Sequence, residues 1–309
     1  MIYDLSIIIP VYFNEESLDN LFQKLIILQN DFSKLDTNVQ FIFVDDGSED
    51  RSLLKLLKFK EDCRNTKIIK LSRNFGAVLA CKEGFKHTDG NCVTCLAADL
   101  QDPPENVIKM FKRWRDGKKF VACIRKNRND GFFKTFTAKL FYILVRKFII
   151  KNYPKQGYDM ALIDSSLMQY ILNGARAIHF PMQLYWLGYK PDIIYYERLK
   201  RPYGKSRWTP YKLVSTALDI LLSFSPKFLQ FLSFSGLLLS LLCFFYGIIV
   251  IISALMGNIP VPGYASIIVL NSFFFGILIF YLSIIQEYLW RIFVDITKTS
   301  EVVVDEIFN

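Results

Sequence analysis

The chain of 309 residues carries a formal net charge of +9, and 52% of its residues are hydrophobic and 16% aromatic. That is too apolar for an ordinary soluble protein of this length. Its six cysteines include one C-x-x-C, Cys92 and Cys95, with no second pair or histidine cluster beside it, which speaks against a zinc or redox centre.

Met1 to Asp4 leads straight into an apolar run without a basic start or a small-residue cleavage site, so no signal peptide is expected. Leu5 to Val11, β-branched and interrupted only by Ser6 and Pro10, predicts a first strand. Tyr12-Phe13-Asn14-Glu15-Glu16-Ser17 then opens a helix marked by Leu18, Leu21, Phe22, Leu25 and Leu28. Val39 to Val44 predicts a second strand, running into Asp45-Asp46-Gly47-Ser48. Acids just past a strand end can accept hydrogen bonds from a nucleobase or ribose, although Asp-Gly-Ser also suits any turn.

A third strand, Lys67 to Leu71, opens onto Ser72-Arg73-Asn74-Phe75-Gly76, and a helix of small residues is expected from Ala77 to Phe85. The fourth strand, Cys92 to Ala97, breaks into Ala98-Asp99-Leu100-Gln101-Asp102-Pro103-Pro104-Glu105. A hard divalent cation that also grips a diphosphate needs only one or two protein oxygens, which Asp99 and Gln101 can supply. A plain polar turn with solvated acids is the alternative. Asp102 either orients a metal shell or sugar hydroxyl or caps the helix after the prolines. Strands alternating with helices predict an α/β fold with a mostly parallel, doubly wound sheet. Neither a G-x-G-x-x-G nor a P-loop is present, and the acid or amide that ends each strand suits a nucleotide held through a metal.

Phe120 to Ile124 is another strand, followed by Arg125, Lys126 and Arg128, which are candidate phosphate ligands or a solvated positive face. Between Lys112 and Lys151 thirteen Lys or Arg face only Asp116 and Asp130. A helix over about 131–151, with Phe132, Phe133, Phe136, Phe141 and Phe148 among its cations, is expected to lie in a membrane interface. Nucleic acid is the rival partner for such a stretch, and the segments that follow disfavour it. Residues 211–227 predict a second interfacial helix. From Phe228 to Gln286, 59 residues contain no Asp, Glu, Lys or Arg, enough for two spans of about 20 residues each. Turn formers from Met256 to Gly263 divide the tract into a helical hairpin, roughly Leu229 to Leu255 and Ala265 to Ile285. Lys205, Arg207, Lys212 and Lys227 before it and Arg291 and Lys298 after it place both ends in the cytoplasm. Gly236, Gly247 and Gly276 permit helix packing, so a homo-oligomer is plausible. The tail over 291–309 is read as cytoplasmic and uninformative, and His87 and His179 as surface or loop histidines.

Five segments occur in order: Pro10-Val11-Tyr12-Phe13-Asn14-Glu15, Val44-Asp45-Asp46-Gly47-Ser48, Leu71 to Gly76, Ala98 to Glu105, and Gly204-Lys205-Ser206-Arg207-Trp208. With the terminal hairpin, they resemble the family 2 inverting glycosyltransferases that load a sugar onto polyprenyl phosphate, the bactoprenol glucosyltransferase and dolichol-phosphate mannose synthase group. The resemblance covers nearly the whole chain. It implies a GT-A nucleotide-sugar domain over 1–210, membrane helices over 228–290, and an integral protein of a bacterial inner or plasma membrane whose catalytic domain faces the cytoplasm. Pro10, Tyr12, Asn14, Glu15, Asp45, Asp46 and Ser72 would form the donor pocket. Asp99 and Gln101 would hold Mg²⁺ or Mn²⁺, although the first acid of the family's D-x-D-x-Q pattern is Ala97 here. Asp99, Asp102 and Arg125 would be catalytic; Arg125, Lys126, Arg128, Asp159, Lys205 and Arg207 would meet the acceptor or phosphates. The donor implied is a nucleotide-diphosphate sugar, UDP-glucose being the commonest in the family, and the acceptor undecaprenyl phosphate. A transferase to a lipid or glycan hydroxyl, and an idle membrane scaffold in keeping with Ala97, remain the alternatives.

Overall fold

The computed structural model describes residues 3–126, 132–173, 180–199, 202–203, 263–297 and 302–309, with scattered positions between 217 and 256. Strand β1 (Tyr3–Val11) carries Leu5, Ile7, Ile8 and Ile9 fully buried. Ile7 and Ile9 join one core cluster and Ile8 the opposite one, as a period of two requires of a strand covered on both faces. The same alternation places Phe41 and Phe43 of β2 (Val39–Asp45) against the first cluster and Ile42 and Val44 against the second.

With β3 (Thr66–Leu71), β4 (Gly90–Cys95), β5 (Phe120–Arg125), β6 (Met160–Asp164), β7 (Asp192–Tyr196) and β8 (Val304–Phe308), the described strands make one eight-stranded sheet ordered β7-β5-β6-β4-β1-β2-β3-β8. Helices α1 (Glu15–Ser33), α2 (Ser52–Asp62) and α4 (Glu105–Arg115) cover one face. Helix α3 (Ala77–Phe85) and the short α6 (Met168–Leu172) and α7 (Phe180–Trp186) cover the other. Helix α5 (Phe132–Phe148) contributes Val145 to a third, largely aromatic cluster that includes Tyr153, Met182 and Ile220.

The doubly wound expectation holds, and the sheet is more mixed than the sequence implied. Strand β6 is antiparallel to both of its neighbours, β4 and β5. Strand β4 ends at Cys95, two residues early, although the Leu96 N–H still donates to the Ile8 carbonyl at 2.8 Å. The tail is a structural element: β8 lies antiparallel on β3, and the Ser72 N–H donates to the Val303 carbonyl at 3.0 Å.

The chain divides into two compact units, Met1–Ser225 together with Glu301–Asn309, and Pro226–Ser300. In the second, α8 (Tyr264–Thr297) is a helix of 34 residues exposing Phe273, Phe275, Ile279, Leu282 and Leu289, and the Ser235 and Tyr281 hydroxyls lie 3.1 Å apart. Counted over the described residues alone, no helix is long and apolar enough to cross a membrane. Most of the expected first span and of the 211–227 helix lies outside the described residues.

Candidate active site

Strands β2 and β3 are laid down on one side of β1, and β4 on the other, both β2 and β4 parallel to it. Ligands of open α/β sheets bind past the carboxyl ends of strands at such a reversal. The loops after β1 and β4 are therefore the place to look.

Both loops hold a non-glycine residue in the left-handed region, Phe13 (φ 52°) and Leu100 (φ 60°). Each costs on the order of 1–3 kcal/mol and persists only where its surroundings over-determine it. Around Phe13, the Asn14 amide oxygen accepts the Tyr12 N–H at 2.9 Å, and Ser48 Oγ and Ser52 Oγ accept the Phe13 and Asn14 N–H groups at 3.0 Å each. Around Leu100, the leucine side chain is buried in the main core, and Asp99 Oδ1 accepts the Gln101 N–H at 3.1 Å. Ser17 at the start of α1 donates to the Ala98 carbonyl at 2.9 Å, joining the two loops. Burial of Leu100 thus turns the chain so that half-buried Asp99 and Gln101 flank it.

These two side chains offer oxygen donors of the kind Mg²⁺ or Mn²⁺ takes, and Ala97 offers none. Among the described residues no three His, Cys, Asp or Glu side chains converge as a metal cluster. The donor set fits a cation that draws most of its ligands from a diphosphate and water, as Mg²⁺ commonly does.

Of the residues expected to form the donor pocket, the adjacent acids Asp45, which ends β2, and Asp46 do different work. Asp46 accepts the Phe75 N–H at 2.7 Å and the Gly76 N–H at 2.9 Å, one on each carboxylate oxygen, and so holds the loop after β3. Gly47 (φ 70°) completes that junction, since a Cβ there would stand 2.6 Å from the Arg73 carbonyl carbon. Asp45 accepts the Ser48 N–H through Oδ1 at 3.3 Å, while its buried Oδ2 has no partner. Burial raises the pKa of both acids above the ordinary carboxylate value. Pro10 lies half-buried one residue before the end of β1, Glu15 accepts the Arg51 N–H at 3.2 Å, and exposed Ser72 meets Val303, just before β8, through its backbone.

On the other side of the switch point, Arg125 at the end of β5 grips Asp159 with two nitrogens, Nε at 2.9 Å and Nη2. The Tyr196 hydroxyl reaches Asp159 Oδ2 at 3.0 Å and also Asp102 Oδ1. Arg198 Nε stands 3.2 Å from that same Asp102 oxygen. The result is a chain in which the neutral Tyr196 hydroxyl links two ion pairs, Arg125 with Asp159 and Arg198 with Asp102. Burial pushes the Asp102 carboxyl above its usual range, opposed by Arg198 and Tyr196, and burial beside two carboxylates raises the Tyr196 phenol strongly.

The structure therefore brings Asp102, Arg125 and Asp159 together, and shows Asp102 in an ionic network where a helix cap was the other possibility. Lys126 is exposed, its N–H bonded to the Tyr196 carbonyl at 2.8 Å. Arg128, Lys205 and Arg207 lie outside the described residues, as does His179. Sequence reasoning missed Tyr196 and Arg198, although Tyr196-Glu197-Arg198 repeats the pattern of polar groups just past a strand.

Acids and amides gathered at the carboxyl edge of a doubly wound sheet define the class of α/β enzymes that hold a nucleotide there. The chain belongs to glycosyl transferase family 2, whose pattern matches residues 6–172. It is 33% identical over 311 residues to an uncharacterized glycosyltransferase of Synechocystis, with 100% of this chain and 97% of that protein covered. It is 30% identical to the SfII prophage-derived bactoprenol glucosyl transferase of Shigella flexneri, covering 97% of each. Among solved structures, glucosyl-3-phosphoglycerate synthase from Mycobacterium tuberculosis superposes with a TM-score of 0.51 at 14% identity, covering 72% of this chain and 78% of that one. The same synthase with Mn²⁺, UDP and glucosyl-3-phosphoglycerate bound gives 0.50. The likeness establishes a GT-A-like α/β fold.

Proposed function

We propose that this glycosyltransferase moves a hexose, with inversion, from a nucleotide-diphosphate sugar, UDP-glucose or a similar UDP-hexose, to undecaprenyl phosphate in the cytoplasmic leaflet of a bacterial membrane. The observation that carries the reading is the meeting, at one sheet edge, of the oxygen-donor turn Asp99–Gln101 with the Arg125–Asp159 pair. One side can hold a metal-bound diphosphate and the other can hold a second phosphate. The bactoprenol glucosyl transferases named among the relatives support a lipid carrier.

In the reaction, an acceptor phosphate oxygen attacks the anomeric carbon as the bond to the diphosphate breaks, and the nucleoside diphosphate departs. A bound divalent cation would act as a Lewis acid on the leaving diphosphate, held by Asp99 and Gln101. The acceptor is already an anion at neutral pH, so no side chain has to remove its proton. Arg125, fixed by Asp159, would fork onto a phosphate.

Membrane attachment is supported by the 59-residue uncharged tract from Phe228 to Gln286. Within α8, Tyr264 to Gln286 carries no Asp, Glu, Lys or Arg. Both ends of the tract join the same sheet-bearing unit, which favours an even number of crossings and hence a hairpin.

The test is transfer of radiolabel from a panel of UDP- and GDP-sugars to undecaprenyl phosphate by the purified protein in detergent, with and without Mg²⁺ or Mn²⁺. Metal-dependent, acid-labile labelled lipid from one donor is expected. No labelled lipid from folded protein would favour a hydroxyl acceptor or an idle scaffold.

A further inference from the structure

We infer that Arg198 is a phosphate ligand of this active site, aimed by Asp102 and Tyr196; the inference rests on the glycosyltransferase reading above and deepens it. Tyr196 and Arg198 stand two residues apart at the end of β7, and both reach Asp102, the residue after the Asp99–Gln101 turn. The backbone beside Arg198 is tied to that turn, because the Leu199 N–H donates to the Gln101 carbonyl at 2.9 Å. The guanidinium is therefore held beside the candidate metal turn.

The contact with Asp102 leaves Arg198 incompletely served. Its Nε lies within ion-pair distance at 3.2 Å, yet the buried Nε–H is not aligned for a hydrogen bond to any acceptor. That Nε is closed off against Asp102, so a ligand oxygen would meet the exposed remainder of the side chain. The Arg198 side chain retains 27% of its exposure while Asp102 retains 4%, so a ligand can reach the arginine but not its brace. A planar, permanently charged fork on a fixed base suits a phosphate. That phosphate belongs either to the donor diphosphate or to the acceptor monoester.

Arg198→Gln and Arg198→Lys, prepared as full-length protein in detergent, separate these sources. Loss of a charge-assisted hydrogen bond predicts about a ten- to hundredfold effect for Arg198→Gln. A donor contact weakens UDP in calorimetric titration with Mn²⁺ while leaving uridine, which lacks phosphate, unchanged. An acceptor contact leaves UDP alone and raises KM for undecaprenyl phosphate. Arg198→Lys restores part of either effect, since it keeps the charge without the fork. Glu197→Gln, an exposed neighbour, changes neither constant.

Arg198 variants within twofold of wild type in both constants overturn the inference, as does equal weakening of UDP and uridine, which reports a distorted pocket. If a melting curve shows that Arg198→Gln does not fold, Arg198→Lys is judged by the same measurements. A wild-type protein that transfers no sugar to lipid phosphate overturns the proposed function instead, while selective loss of UDP binding in the variant would still uphold the arginine's role.

Discussion

The adjacent acids Asp45 and Asp46 respond oppositely to the same isosteric change. Asp46→Asn replaces one of two oxygens that accept backbone N–H groups, at 2.7 Å and 2.9 Å, with an NH₂ that faces a donor. One charge-assisted bond is lost and the other becomes neutral, a destabilisation of about 2–4 kcal/mol. Asp45→Asn can keep the oxygen that accepts the Ser48 N–H and put its NH₂ at the position of the unpartnered Oδ2. Its stability should stay within about 1 kcal/mol of wild type, while UDP binding falls about tenfold if that oxygen accepts an N–H from the base. Because burial raises the folded-state pKa of Asp45, the folded protein keeps a proton that the unfolded chain gives up above the ordinary value of 3.8. That contribution to stability is therefore present at low pH and lost as pH rises through the raised pKa, and Asp45→Asn removes it. Urea unfolding of detergent-purified protein at several pH values, with UDP titrations alongside, reads both effects. Equal destabilisation by the two substitutions would refute the assignment, since it would mean that Asp45 Oδ2 has a partner as important as those of Asp46.

Asp99→Asn should lower transfer about 10²–10³-fold with the melting temperature kept, because it weakens the candidate metal site without touching the core; wild-type transfer would favour the scaffold reading. Arg125→Ala leaves the Asp159 carboxylate, 13% exposed, without its guanidinium, and should cost about 3–5 kcal/mol in urea unfolding, more than Arg125→Lys. Deleting residues 302–309 removes β8 and buried Val302 and takes the acceptor from the Ser72 N–H. A loss of about 2–4 kcal/mol is expected, with light scattering reporting association through the uncovered β3 edge.

Much of this protein was legible from the order of its residues. The runs Leu5 to Val11 and Val39 to Val44 read as strands and are strands, and α3 occupies Ala77–Phe85 as expected. Such elements are written in local periodicity, and the polar residues at the strand ends marked the ligand edge because a sheet's faces exclude them. Pairings between distant segments carried no such local sign. Strand β8 joins β3 through residues as far apart as Lys70 and Asp305, and β6 enters the sheet antiparallel, neither of which a short apolar run reveals. Tyr196 was invisible for the same reason: its partner Asp102 lies 94 residues away, and only the closed sheet brings β7 against the loop after β4. Local sequence determined which segments are strands and where the polar edge lies. The choice of which acid braces an arginine, and which keeps a buried oxygen without a partner, belonged to the tertiary structure, because burial and unpaired charge exist only once the chain has closed around them.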